Sequence, residues 1–194
     1  MRKGIKILAK VISTIILLLI FLPVTITLVL NIEAVQNVII KHASEYASEF
    51  LGTRVEIDRI DLDLFSRVRV EGFYVEDYEQ DTMIYVKRAT ASISSLNIVQ
   101  DGLRISTAEV EGAKLYLQEL ANGEINIRPI VRNLQNPNGQ SNFRLFIDDI
   151  EARDAEFRFE RLVHRNPEYG IDYYDMQVTD IKAMVRDFSV VKGC

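Results

Sequence analysis

Asp58, Asp61 and Asp63 are the nearest approach to a cation site in this sequence, and Asp148-Asp149 forms a second acidic cluster. Hard cations draw oxygen ligands from such groups, with a glycine at the tight turn in loops of the EF-hand kind. No glycine occupies that turn here, and Asp61 and Asp63 alternate with Leu62 and Leu64. Alternation of that sort marks the wet face of a strand, and Asp148-Asp149 reads the same way. The histidines are His42 and His164, and the single cysteine is Cys194, the last residue. Zinc would need more nitrogen and sulfur ligands close together. Neither a G-x-S-x-G elbow nor a Walker-type phosphate loop occurs. Tyr78, Tyr169, Tyr173 and Tyr174 fit strand side chains with a polar tip, and Asn166-Pro167-Glu168-Tyr169-Gly170 fits a turn. No catalytic, metal-binding or cofactor-binding constellation emerges, so the expectation is a protein that is not an enzyme and holds no cofactor.

The informative feature is physical rather than chemical. Val11 to Leu30 is an uncharged apolar run, preceded by Arg2, Lys3, Lys6 and Lys10. About twenty such residues cross the ~30 Å hydrocarbon core as a helix. The basic cluster predicts that the N-terminal side stays in the cytoplasm. A cleaved signal peptide is the competing reading, but it has a shorter core and a small-x-small cleavage site. Ile32 stands where cleavage after Ala34 would need a small residue, and no nearby cysteine offers a lipidation site. Pro23 within the run is tolerable in a membrane helix. The expectation is one uncleaved signal anchor, with the bulk of the chain across the membrane.

Four of the 23 basic residues precede the span and all 28 acidic residues follow it, so the exported part carries a net charge of −9. That balance argues against nucleic acid as a partner and against docking on anionic headgroups by charge. With its one cysteine at the end, the chain forms no internal disulfide. Gly193-Cys194 follows an apolar stretch with no closing signal, so the sequence reads as the front piece of a longer protein.

Glu33 to Leu51 has helical spacing, with Val35, Val38, Ile39, His42, Tyr46 and Phe50 on one face and Gly52 as a C-terminal stop. An amphipathic helix leaving the membrane should lie on something, either the membrane surface or the open end of a β-structure. From Arg54 the period changes to two. Val55 and Ile57 alternate, as do Ile60, Leu62 and Leu64, then Val68 and Val70. The pattern returns at Ala89, Ala91 and Ile93, at Leu103 and Ile105, and at Leu115 and Leu117. It continues at Ile125 and Ile127, at Phe143, Leu145 and Ile147, and at Phe157 and Phe159. Turn residues mark the breaks: Glu79-Gln80-Asp81, Asp101-Gly102, Asn122-Gly123 and Asn136-Pro137-Asn138-Gly139. Ile130 to Leu134 fits a short helical turn.

A period of forty residues underlies the strands. Val70-Glu71-Gly72 recurs as Val110-Glu111-Gly112 and more weakly as Ile150-Glu151-Ala152. Leu103 with Phe143, Ile105 with Leu145 and Leu117 with Phe157 keep the same offset. Such periods signal repeat architectures. A propeller is the competitor, but its blades carry a Trp-Asp signature and this chain has no tryptophan.

A long sheet with one apolar face must bury it, either in a sandwich or as the floor of a curved groove. On periodicity alone an ordinary sandwich core is the simpler reading. A groove has a distinct use: each buried methylene is worth about 0.8 kcal/mol, so an apolar floor would carry an acyl chain through water.

The order of motifs decides between them. The anchor is followed by a helix ending in Leu51-Gly52-Thr53, then Val55-Glu56-Ile57 and Val70-Glu71-Gly72-Phe73-Tyr74-Val75-Glu76-Asp77. Asp81-Thr82-Met83-Ile84-Tyr85-Val86, Val110-Glu111-Gly112-Ala113 and Asn122-Gly123-Glu124-Ile125-Asn126-Ile127 complete the series. This order resembles the N-terminal region of the TamB-type translocation and assembly modules, within the AsmA-like family. The resemblance implies a single-pass protein of the bacterial inner membrane that reaches into the periplasm. It implies a mainly β fold, a repetitive antiparallel sheet curved into an elongated apolar groove behind the two helices. It implies phospholipid transport towards the outer membrane. The alternative implied role is the insertion or secretion of outer-membrane β-barrel proteins, with an outer-membrane barrel of the TamA/BamA type as partner. The expected organisation is a cytoplasmic basic segment at 1–10, the span at 11–30, the amphipathic helix at 31–52 and the start of the β-repeat domain at 53–194. The expected groove residues are Ile60, Leu62, Leu64, Leu103, Ile105, Leu115, Leu117, Phe143, Leu145 and Ile147.

Overall fold

The computed structural model describes residues 2–30, 32–63, 66–97, 102–134, 144–162, 170 and 172–191. Leu64 and Phe143, both expected in the groove, lie outside the described residues, as do His164, Tyr169 and Cys194.

Helix α1 (Arg2–Leu30) contains the apolar run, with Pro23 inside it. From Lys10 to Leu30 it is long and apolar enough to cross a membrane, and none of that stretch is buried in the protein. Two of its hydroxyls bond within the helix: Thr14 Oγ1 donates to the Lys10 carbonyl and Thr25 Oγ1 to that of Phe21. A break follows at Ile32, which is extended at ψ 128°. Helix α2 (Glu33–Leu51) then opens on an acidic residue, favourable to its dipole, and closes on Gly52. Gly52 is left-handed at φ 74°, and its N–H returns to the Ser48 carbonyl.

Behind the helices lies one seven-stranded sheet. Strands β3 (Arg67–Glu76), β4 (Thr82–Asn97), β5 (Gly102–Gln118), β6 (Arg144–Glu160) and β7 (Asp175–Val191) stand in that order. The short strands β1 (Val55–Glu56) and β2 (Arg59–Leu62) share the outer edge of β3. Turn chemistry follows the sequence signals. Asp77 Oδ1 accepts the amides of Glu79 and Asp81 at the β3–β4 turn, and Gly123 is left-handed at φ 80°.

One expectation needs correction. The sheet is antiparallel except at its centre, where β5 and β6 run parallel. A parallel pair needs a crossover rather than a hairpin, and helix α3 (Arg128–Leu134) lies in that connection. Of the two placements left open for the apolar stripe of α2, the sheet end is taken by a different side of the helix. Ala47 and Leu51 pack inward, whereas His42 is exposed beside Glu45 and Tyr46 is exposed.

Among the described residues the buried core is small and sits at one end. Val55, Val75, Met83 and Ile130 form it, flanked by Ala47, Leu51, Phe73, Ile84, Ile127 and Leu134. Helices α2 and α3 thus cover only the end of the sheet near β1.

Candidate functional site

Residues opposite one another on neighbouring strands put their side chains on the same face. The register therefore defines rows that cross the sheet. Leu103 stands beside Leu145 and then Val190. Ile93, Ile105, Ile147 and Phe188 form the next row. Ala91, Ala108, Ile150 and Val185 follow, then Val70, Ala89, Val110, Ala152 and Ala183. Nearer the helices come Val75, Ile84, Leu115, Phe157 and Val178, and finally Leu117, Phe159 and Met176. At the edge, Ile60 pairs with Val70 and Leu62 with Val68. Eight of the ten expected groove residues thus take places in this apolar ladder.

Strict alternation would not keep these rows on one face, because their spacing is uneven. Val110 and Leu115 are five residues apart, as are Val70 and Val75, Ala152 and Phe157, and Ala183 and Val178. An odd step needs one residue that breaks the alternation. Left-handed residues supply it: Gly72 at φ 64°, Gly112 at φ 63°, Asp154 at φ 52° and Asp180 at φ 56°. Between Phe188 and Val185 the step is three, and Asp187 is left-handed at φ 55°. Ile84 to Ala89 on β4, Ile105 to Ala108 on β5 and Ile147 to Ile150 on β6 are odd steps too and hold no left-handed residue; the β4–β5 register shifts beside Ile93 instead.

The ladder is long, half-buried along most of its length and open at the β7 side. Seventeen residues of β5 extend about 56 Å at ~3.3 Å each. Ile105 and Ala108 are buried, whereas Phe188, Val185 and Val178 at the β7 side are exposed. The sandwich alternative needs a second sheet against this face, and the described strands form a single sheet.

The opposite face is charged. Arg88 donates to Glu71 (3.1 Å) and to Glu111 (3.0 Å), and Lys87 also reaches Glu111 (3.3 Å). The Lys87 hydrogen bond is the main reason the Glu111 carboxyl is held below its usual range. Arg104 bonds Asp148 at 2.8 Å and lies over the Phe146 ring. The acidic clusters raised as cation sites are engaged in such pairs: Asp61 with Arg59 and Asp149 with Arg186.

At the helix end, Asn126 is 2% exposed and ties three segments together. Its Nδ2 donates to Asp77 Oδ2 (3.1 Å) and to the Tyr116 carbonyl (3.2 Å), while its Oδ1 accepts the Gln118 amide. Gln118 Nε2 also donates to Asp77 Oδ2. This hub pins the β3–β4 turn to the loop before α3. Sequence reasoning treated Asn126 only as part of a motif, since no spacing rule links it to Asp77. On the adjoining outer surface, Lys41, Glu45, Arg54, Glu56 and Asp58 line a cleft of about 630 Å³ between α2 and β1.

The architecture is thus an apolar helix, a capping helix and a sheet with one apolar face. No curated protein and no solved structure matches the chain. Residues 1–180 match the model of the AsmA family, and the chain belongs to that family.

Proposed function

We propose that this chain is the inner-membrane end of a phospholipid conduit of the TamB type, anchored by α1 with its sheet in the periplasm. Membership of the AsmA family points generally to outer-membrane biogenesis and lipid transport. The observation that carries the finer reading is the apolar ladder, continuous from Leu117 to Leu103 and shared by β4 to β7. An apolar face left without a second layer among the described strands suits a binding site, and an acyl chain is its natural occupant. The sheet then forms an apolar groove with Ile60, Leu62, Leu103, Ile105, Leu115, Leu117, Leu145 and Ile147 in its floor. The function is binding and passage rather than catalysis.

Site-specific photo-crosslinking in living cells tests this. A probe at Ile105 on the apolar face should capture phospholipid, and one at Arg104, paired outward with Asp148, should not. Lipid at neither site, or protein at both, overturns the conduit.

One observation favours a second reading. Among the described residues strand β7, seventeen residues long, is paired on one side only, with β6. Such an edge templates extended segments by β-augmentation, which suits insertion of outer-membrane barrel proteins with a TamA/BamA-type partner. Proline substitutions along β7 should then hurt more than charges on the apolar face.

A further inference from the structure

Helix α2 has two apolar sides, and one of them packs on the core at the end of the sheet. Ala47 and Leu51 pack on the cluster of Val55, Val75, Met83 and Ile130, and the Val55 amide donates to Ser48 Oγ. The other side carries Val35, Val38, Ile39, Tyr46 and Phe50. At 3.6 residues per turn these fall within an arc of about 120°, centred roughly 130° round the helix from the packed side. Val38 is 56% and Tyr46 53% exposed, and the Tyr46 and Phe50 rings stack at 6.5 Å.

What covers this stripe follows from its position in the chain. Helix α1 ends at Leu30 and α2 begins at Glu33. Three residue steps allow at most about 11 Å between those ends, so α2 starts beside the end of the membrane span. The extended Ile32 breaks the helical path, which frees α2 to leave the axis of α1. Ile32 is itself exposed and apolar. Tyrosine suits the boundary between headgroups and acyl chains. His42 and Glu49 fall within this arc and Glu45 just beside it, so these side chains must reach to the headgroups, and buried apolar area rather than attraction to anionic headgroups supplies the affinity.

We propose that α2 lies in the interface of the bilayer that α1 crosses, with the Val38–Tyr46 stripe at the acyl boundary and the Ala47–Leu51 side carrying the sheet. The inference rests on the anchor reading above. It places the capped end of the ladder about one helix diameter, ~10 Å, from the leaflet. Lipid leaving the leaflet would then reach the apolar face across a single helix.

The chain has no tryptophan, so single-tryptophan variants report one site each. Leu19→Trp, Val38→Trp and Asn37→Trp are made in the full chain and reconstituted into phosphatidylcholine vesicles with brominated acyl chains. Leu19→Trp, within the span, should be quenched by deep bromines. Val38→Trp should be quenched at least threefold more strongly than Asn37→Trp by bromines near the headgroups. Quenching of Leu19→Trp with Val38→Trp no more quenched than Asn37→Trp overturns this proposal and leaves the anchor standing. Blue-shifted but unquenched emission at Val38→Trp also overturns it, because a protein surface then covers the stripe. If Leu19→Trp escapes quenching, the anchor fails and this inference falls with it.

Discussion

Gly72 and Gly112 flank Lys87 from its two sides, each in the left-handed region and each forty residues from the other. Gly72 lies between the pairs Glu71–Arg88 and Phe73–Val86, and Gly112 between Glu111–Arg88 and Ala113–Val86. The recurring Val-Glu-Gly therefore has a physical meaning. Its valine holds the apolar row, its glutamate pairs with Arg88, and its glycine shifts the phase of the strand.

Substitution at these glycines should separate steric from conformational cost. A Cβ on Gly72 would come within 1.8 Å of Asp58 Oδ2, whereas one on Gly112 meets Lys87 Cβ at 3.0 Å. Left-handed backbone costs ordinary residues about 1–2 kcal/mol. Gly112→Val should lower stability by about that amount and Gly72→Val by more. Gly112→Asp should cost less than Gly112→Val, since Asp154 adopts φ 52° at the aligned position of β6. Denaturant midpoints of the full chain in detergent check the order.

Asp154 also shows where the sequence stopped being legible. The forty-residue period is correct between β3 and β5, because both pair with β4. It slips by two at the third copy: the parallel register sets Val110 beside Ala152 and Leu103 beside Leu145. A slip of two keeps the apolar face, so Leu145, Ile147 and Phe157 still read as one side. The sequence signal was lost because aspartate, not glycine, takes the left-handed place. The placement of α2 stayed open for a different reason. Spacing reveals an apolar face but not its partner, and the small residue Ala47 on the packed side attracts little notice. The Asp77–Asn126 bond joins residues 49 apart in sequence, beyond any local pattern.

Removing the Asn126 hub should loosen the capped end. Asp77 is 3% exposed, and Asn126→Ala would deprive its carboxylate of one donor and leave the Gln118 amide unpaired. Unsatisfied buried groups cost about 1–3 kcal/mol each. Asn126→Asp should be worse near neutral pH, because it sets a second carboxylate against Asp77, and acidification should partly restore it. Amide hydrogen exchange should report faster opening at the β3–β4 turn and α3 while the distant rows around Ile105 stay protected.

Acid should weaken the junction of β5 with β6 and β7. Glu119 accepts Arg161 Nε at 2.8 Å and Nη2 at 3.3 Å, and Arg161 lies over the Tyr174 ring. The Arg161 hydrogen bond holds the Glu119 carboxyl below its ordinary value despite desolvation. A carboxyl lowered in the folded state stabilises above its unfolded pKa, about 4.3, and that contribution is lost as pH falls through the folded value. Glu119→Gln should therefore reduce stability at neutral pH and flatten its dependence below about pH 4.3. Thermal midpoints of both proteins between pH 3 and 7 decide this, and parallel curves would rule out the assigned role.

Charge on the apolar ladder should stop lipid without dissolving the fold. Ile105 and Leu145 occupy adjacent rows on neighbouring strands, so aspartate at both would place two charges on the apolar face, one row apart and one strand spacing of ~5 Å apart. An ionised carboxylate next to an acyl chain loses much of its hydration, and the energetic barrier to passage rises steeply. Ile105 is 9% exposed but belongs to a single-layer sheet, so its substitution faces less packing than in a closed core. The double variant should lose crosslinked phospholipid at Ile147 while keeping membrane insertion and β-sheet circular dichroism. Arg104→Asp, which breaks the outward pair with Asp148, should leave crosslinking unchanged. Lys182→Pro on β7 provides the contrast. Loss of function there, with the aspartate pair tolerated, would transfer the activity from the apolar face to the sheet edge.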